Sequence, residues 1–100
     1  MLTRVVKLTF QEAYLADFYA HFETVKHEVS NFPGCYGMKL LSVIDAPNVI
    51  FAYSQWKNEA SFNDYRDSEL FAAIWPQIKP WFAQRAEAWS LNENFNGFIL

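Results

Sequence analysis

The chain has 100 residues, of which 52% are hydrophobic and 19% charged, and its formal net charge is −3. This composition excludes a disordered chain and predicts one folded domain over residues 1–100. The eight basic residues are scattered among eleven acidic ones, and no apolar run approaches the roughly 20 residues of a membrane span, so we expect neither a nucleic-acid partner nor a membrane.

The first predicted element is a strand over residues 2–10, where alternate positions are apolar and Arg4 is set among them. A Thr-x-x-Glu motif starting at Thr9 is typical of a capping box, so a helix should begin there. Its apolar residues recur at steps of three and four, as in an amphipathic helix: Leu15, Phe18, Phe22, Val25 and Val29. The helix should end near Asn31, because Pro33 cannot continue it.

Two β-prone segments follow, residues 35–44 and residues 49–56. Residues 45–48 between them have the composition of a turn, so the two segments are predicted to form a β-hairpin. In the second segment both alternating sets of side chains are apolar, which is not typical of a strand with one face in water.

The second helical region has two predicted N-cap residues, Asn58 and Ser68. Pro76 should end the regular helix, with a kink or a separate turn after it. Residues 86–91 are the last predicted strand. Residues 92–100 form a tail that ends on apolar side chains, and we expect it to dock on a partner subunit.

The element order is βαββαβ, which predicts an α+β, ferredoxin-like fold with one four-stranded antiparallel sheet and both helices on one face. The other face would be left uncovered, although the strand at residues 49–56 is apolar on both sides and Val5 adds to that face. An identical sheet related by a two-fold axis is the simplest cover, so we predict a homodimer.

The chain resembles the antibiotic biosynthesis monooxygenase (ABM) domain, a dimeric α+β barrel. The strongest part of the resemblance is the end of the third strand, Tyr53-Ser-Gln-Trp56, followed by a helix with Glu59 in its first turn. Other matching segments extend the resemblance over nearly the whole chain: residues 31–34, Tyr65, residues 68–71 and residues 86–91. The resemblance implies a cofactor-independent monooxygenase that acts on a small aromatic or polycyclic compound.

The chain has only some of the residues that the known reactions of this family use. Members that oxidise polycyclic phenols with dioxygen and no cofactor have a Trp that Trp56 matches, but they have Asn and Tyr where this chain has Ala52 and Phe62. Alanine and phenylalanine offer no hydrogen bond to a phenol anion. The haem-degrading branch has its haem-ligating His where this chain has Trp75, so haem ligation in that manner is not expected.

Aromatic residues make up 19% of the chain, more than a minimal core requires, so some should line a pocket or an interface. Tyr65 and Trp56 are the candidate catalytic residues, because the polar group of a buried phenol or indole needs a partner. The predicted pocket, for a small apolar or aromatic ligand, contains Phe22, Met38, Phe62, Phe71 and Trp75, with His21 at its rim.

The same aromatic side chains are also compatible with plain core packing. The alternative function is therefore a non-catalytic dimeric module that binds a small hydrophobic ligand or has a structural role. Solid packing without a cavity of about 300 Å³ would favour this alternative. A third hypothesis is haem binding through an unexpected ligand such as His21 or His27.

The cysteine, histidine, glycine and arginine residues indicate which cofactors and which cell compartment to expect. A single cysteine, Cys35, excludes an internal disulfide and a cysteine-rich zinc site, which predicts a cytoplasmic protein. The two histidines cannot share a metal on one helix face, and three glycines are too few for a dinucleotide motif, so we expect no metal and no cofactor. Arg4 and Arg66 are the only cations placed to meet an anionic ligand, with an ordinary surface role as the alternative.

Overall fold

The computed structural model describes residues 1–98. Its strands and α-helices are β1 (Leu2–Thr9), α1 (Leu15–Ser30), β2 (Cys35–Val43), β3 (Ala46–Trp56), α2 (Glu59–Arg66), α3 (Glu69–Ile78) and β4 (Glu87–Asn92). Short 3₁₀ turns lie at Glu12–Tyr14 before α1 and at Lys79–Trp81 after α3. Within this part of the chain, no helix has both the length and the apolar character needed to cross a membrane.

The four strands form one antiparallel sheet in the order β2-β3-β1-β4. Val6 at the centre of β1 pairs with Ala52 of β3 and with Ala88 of β4. Because side chains alternate across a strand, this register turns the even-numbered residues of β1 toward the helices and the odd-numbered ones away. The predicted α+β, ferredoxin-like fold is confirmed, and its second helical region is divided into α2 and α3.

The core lies between the sheet and the helices α1 and α3. Its buried residues are Leu8, Phe10, Phe18, Ile50 and Ile78. The ring of Phe10 is completely buried, with its centre 4.3 Å from the ring of Phe18 and 5.3 Å from that of Phe82. Full burial of one such side chain contributes about 1.5–3 kcal/mol, so Phe10 is a main link between β1 and the helices.

Both predicted N-caps of the second helical region are confirmed. The side-chain oxygen of Asn58 accepts a hydrogen bond from the backbone N–H of Ser61 at 2.9 Å. The hydroxyl of Ser68 accepts one from the backbone N–H of Phe71 at 3.1 Å. Each cap satisfies one of the amides that have no partner at a helix start, and each therefore fixes where α2 or α3 begins.

The predicted capping box at Thr9 is wrong. Thr9 is the last residue of β1, and its carbonyl accepts a hydrogen bond from the Ala83 N–H at 2.7 Å. Phe10 then forms a bridge with Phe82, which keeps the chain extended past the expected cap. The 3₁₀ turn starts after Gln11, whose side chain makes no capping hydrogen bond. A tertiary contact between distant segments thus overrides the local motif.

The hairpin turn is shorter than predicted. β2 ends at Val43 and β3 begins at Ala46, so the turn is not residues 45–48. The register shifts between Ser42 and Val43, which leaves extra residues on β3 in an irregular stretch that includes Pro47. Proline lacks the amide donor of a strand residue, and irregular stretches are where a sheet tolerates it.

Pro76 does not end its helix. α3 continues to Ile78, and the break comes at the 3₁₀ turn that contains Pro80. The apolar stripe of α3 extends beyond Pro76, and Ile78 at its end is buried in the core. This packing accounts for the continued helix despite the hydrogen bond that a proline removes.

The sheet face away from the helices is rich in apolar side chains and has no helix over it within residues 1–98. Trp89 on β4 is 43% exposed, Leu91 on β4 44% and Leu41 on β2 48%. Val5 and Phe51 lie beside them on β1 and β3 and are half-buried. We call this surface the open face.

Residues 93–98 follow β4 without regular secondary structure. Glu93 and residues 95–98 line a groove together with Tyr36, Lys39 and Tyr53, and the side chain of Phe98 is 84% exposed. The apolar end of the predicted tail, residues 99–100, lies outside the described residues. Docking of the tail on a partner subunit therefore stays a prediction.

Candidate functional site

A cavity of about 400 Å³ lies between the sheet and the helices. Its floor is a row of mostly small side chains, because Ala88, Val6 and Ala52 stand side by side in the strand register. Leu40 of β2 continues the row. The rings on the helices leave the space above the alanines open, and its volume is within the range of small-molecule sites.

The adjacent row on the same sheet face, which we call the polar row, has three polar side chains and one apolar side chain at its end. It runs from Ser90 through Arg4 and Ser54 to Met38. The Nη1 atom of Arg4 donates a hydrogen bond to Ser90 Oγ at 3.0 Å, and the indole Nε1 of Trp56 donates to Ser54 Oγ at 2.9 Å. Trp56 is only 1% exposed. Because its N–H is satisfied within the protein, Trp56 contributes to the cavity as a wall.

A chain of aromatic contacts forms that wall. The ring of Tyr65 stacks on Trp56 at 5.1 Å, and Phe62 meets Trp56 edge-on at 5.5 Å. Phe71 contacts Tyr65 edge-on at 5.4 Å and stacks on Trp75 at 5.7 Å. The N-caps of α2 and α3 set these rings in place, since they fix the helical phase of the residues that follow. The wall offers flat apolar surfaces to a ligand.

Within residues 1–98, Tyr65 is the one phenol that lines the cavity. Burial raises the pKa of its hydroxyl to about 12, with a further contribution from the nearby Cys35. At neutral pH the hydroxyl is therefore protonated, and it can donate a hydrogen bond to a ligand oxygen. It cannot act as a general base, because that role needs a group whose pKa lies near the working pH.

Two arginines line one part of the cavity. The guanidinium carbon of Arg4 lies 4.7 Å from the ring centre of Phe62, and that of Arg66 lies 5.8 Å from the same ring. Burial lowers the pKa of Arg4, and the charge of Arg66 lowers it further. Arginine remains charged in proteins, so these two groups bring positive charge to an otherwise apolar lining.

The structure brings together most of the site residues predicted from the sequence. The cavity lining includes Trp56, Tyr65, Phe22, Met38, Phe62, Phe71 and Trp75. Their proximity is an observation, whereas their catalytic or binding roles stay predictions. Sequence reasoning missed Ala88 as a floor residue, and it treated Ala52 only as a position that lacks a polar side chain. The sequence does contain one signal of this floor, because alanine stands at inward-facing positions of the strands, where larger side chains are usual.

His21, predicted at the rim, is not among the lining residues. The stripe of α1 that faces the cavity includes Phe18 and Phe22, and one helical step of about 100° turns His21 to the side. Its ring lies edge-on to Trp81 at 6.3 Å, and its Nε2 atom is buried without a hydrogen-bond partner. His27, the other histidine, is exposed on the outer part of α1.

Cys35 lies at the start of β2 and is half-buried. Burial raises the pKa of its thiol, which disfavours the reactive thiolate. In residues 1–98, no three side chains of the His, Cys, Asp and Glu types form a group that could hold a metal ion.

Comparisons with known proteins agree with the fold described above. The family model described as "Antibiotic biosynthesis monooxygenase" matches residues 1–76, which include β1 to α2 and most of α3. No protein with a curated description matches the chain significantly.

Solved structures match the fold closely at low sequence identity. A candidate antibiotic biosynthesis monooxygenase from Nitrosomonas europaea has a TM-score of 0.87 and 13% identity, over 95% of this chain and 100% of that one. A conserved protein from Methanosarcina mazei Go1 has a TM-score of 0.87 and 19% identity, over 94% of each chain. A candidate antibiotic biosynthesis monooxygenase from Bordetella bronchiseptica has a TM-score of 0.82 and 20% identity, over 94% of this chain and 97% of that one.

Proposed function

This chain belongs to the antibiotic biosynthesis monooxygenase family, and we propose that it is a cofactor-independent monooxygenase acting on a small aromatic or polycyclic compound. The observation that carries the proposal is the cavity of about 400 Å³ with one wall of stacked aromatic rings. A solidly packed core would have favoured a purely structural role, and the open space above Ala52 and Ala88 speaks against that role.

The reaction proposed is oxidation of a phenol to a quinone by dioxygen. One oxygen atom adds to a ring carbon, and the other leaves as water with the hydrogen of that carbon and the phenolic hydrogen. In this reaction Tyr65 donates a hydrogen bond to a substrate oxygen, since its hydroxyl is protonated at neutral pH. Trp56 positions the ring of Tyr65 by stacking on it at 5.1 Å.

A non-catalytic ligand-binding module is the second candidate, and a specific observation favours it. The cavity lining contains no His, Asp or Glu among the described residues, so it has no ordinary general base. Ala52 and Phe62 also line the cavity at the two positions where phenol-oxidising members are expected to have polar side chains. This candidate has the same cavity and the same class of ligand but no turnover.

Oxygen consumption with a panel of naphthols and hydroxylated polycyclic compounds separates the two candidates. For an enzyme we expect uptake of one dioxygen per quinone formed, reduced about a hundredfold or more in Tyr65→Phe. Trp56→Phe should also lower the rate, because it removes the indole that stacks on Tyr65. Tyr19→Phe is the matched control, since Tyr19 is 40% exposed on α1 and lies outside the cavity lining. Ligand binding without oxygen uptake would leave only the second candidate.

The proposal includes a homodimer formed through the open face. Exposed Trp89, Leu91 and Leu41 make that face an apolar surface of the kind that marks interfaces. A second copy is the occupant proposed, because closed two-fold assembly lets the same face cover itself. Sedimentation of the intact chain at micromolar concentration should give a dimer, and a monomer would refute this part. A cytoplasmic location is also proposed, from the single cysteine.

A further inference from the structure

The two arginines of the cavity both lie close to one ring, that of Phe62. Arg4 comes from the polar row of β1, and Arg66 comes from the last turn of α2. Both guanidinium groups approach Phe62, at 4.7 Å and 5.8 Å from its centre. The rest of the lining is apolar except for Ser54 and Tyr65. Positive charge is therefore confined to one part of an apolar cavity.

Neither arginine forms an ion pair with a carboxylate in the described part of the chain. The ion pairs within residues 1–98 are Lys7 with Glu87 and Lys26 with Glu23, and neither includes an arginine. Arg4 donates one hydrogen bond, to Ser90, while its Nε atom is buried and lacks a partner. A buried donor without an acceptor and two neighbouring like charges both cost free energy, and a bound anion would relieve both costs.

We infer that the natural ligand of the cavity is an anion: a flat apolar body with one oxyanion group, a carboxylate or an ionised phenol, bound by Arg4 and Arg66. This inference rests on the proposed function, because it assumes that the cavity binds a ligand. The same two arginines would hold a phenol in place for oxidation. The lining residues that the structure describes include no His, Asp or Glu to act as a general base, but the two guanidinium groups favour the ionised form of a bound phenol directly.

The test compares two ligands of matched shape, 2-naphthoate and the neutral 2-naphthamide, by titration calorimetry at neutral pH. We expect the wild-type chain to bind naphthoate at least tenfold more tightly, because charge-assisted hydrogen bonds are stronger than neutral ones. Arg4→Gln and Arg66→Gln should each reduce this preference severalfold while naphthamide affinity changes little. Arg85→Gln is the control, since Arg85 is exposed and outside the lining. Added salt should weaken the preference.

The results of this test separate a failure of the inference from a failure of the proposed function. Equal affinity for the two ligands in the wild-type chain overturns the inference and leaves the ligand-binding cavity intact. Binding of neither ligand overturns the inference and the proposed function together. If Arg4→Gln does not fold, as judged by thermal unfolding, the wild-type ligand pair and Arg66→Gln still give the answer. A preference for naphthoate that survives in Arg66→Gln and in Arg4→Gln places the anion elsewhere and also overturns the inference.

Discussion

The raised pKa of Tyr65 makes the stability of the protein depend on alkaline pH. Its hydroxyl titrates at about 12 in the folded chain, against an ordinary value of 10.0 that applies when the chain is unfolded. Below pH 10 the group is protonated in both states and stability is unaffected. As the pH rises from 10 to 12, only the unfolded chain ionises, so stability falls. The difference of about two pKa units corresponds to a total loss of roughly 3 kcal/mol, of which about 2 kcal/mol falls between pH 10 and pH 12.

Urea unfolding of the wild-type chain and of Tyr65→Phe measures this loss. The free energy of unfolding of the wild type, relative to that of the variant, should fall by about 2 kcal/mol between pH 10 and pH 12. All other titrating groups are common to both proteins, so the difference isolates Tyr65. A difference that stays constant with pH would mean that Tyr65 does not sit in the buried aromatic wall, which would refute the account of the site.

Four further predictions concern the floor, the core, the caps and the open face. Ala52→Phe fills the cavity above its floor and should weaken 2-naphthamide binding more than tenfold in calorimetry while the chain still unfolds cooperatively. Phe10→Ala removes a fully buried ring and should lower the free energy of unfolding in urea by about 3–5 kcal/mol. Ser68→Ala deletes the α3 cap and should cost about 1 kcal/mol in the same assay, where no change would argue against the cap. Trp89→Lys places a charge on the open face and should convert a sedimenting dimer to a monomer.

The fold could be predicted from the sequence because its signals are periodic and local. Alternation in residues 2–10, the stripe of α1 that includes Phe18 and Phe22, and the caps at Asn58 and Ser68 each depend on neighbours within one element. The wrong prediction of a capping box at Thr9 depends on contacts between distant segments. The chain stays extended beyond Thr9 because of backbone hydrogen bonds to residues near position 82. These bonds cannot be predicted from the local motif.

In the candidate site, too, the features set within one element could be predicted from the sequence, and those set by contacts between strands could not. Tyr65 on α2 and Phe71 on α3 could each be assigned to the inward side of its own helix from helical spacing, because the two caps fix the helical phase. The floor and the polar row depend on strand register, which sets Arg4 beside Ser90, 86 positions away in the chain. A register between strands so far apart cannot be read from either segment alone, since a one-residue slip would turn every side chain to the other face.

Methyl NMR on the two methionines tests the central claim that the cavity between sheet and helices binds a flat aromatic ligand. Met38 lines the cavity, whereas Met1 is 55% exposed at the chain start and serves as an internal reference. On titration with 2-naphthoate, the account predicts a saturable ring-current shift of the Met38 methyl signal, no shift of Met1, and loss of the Met38 shift in Ala52→Phe. Saturable binding that leaves the Met38 signal unmoved would contradict the account.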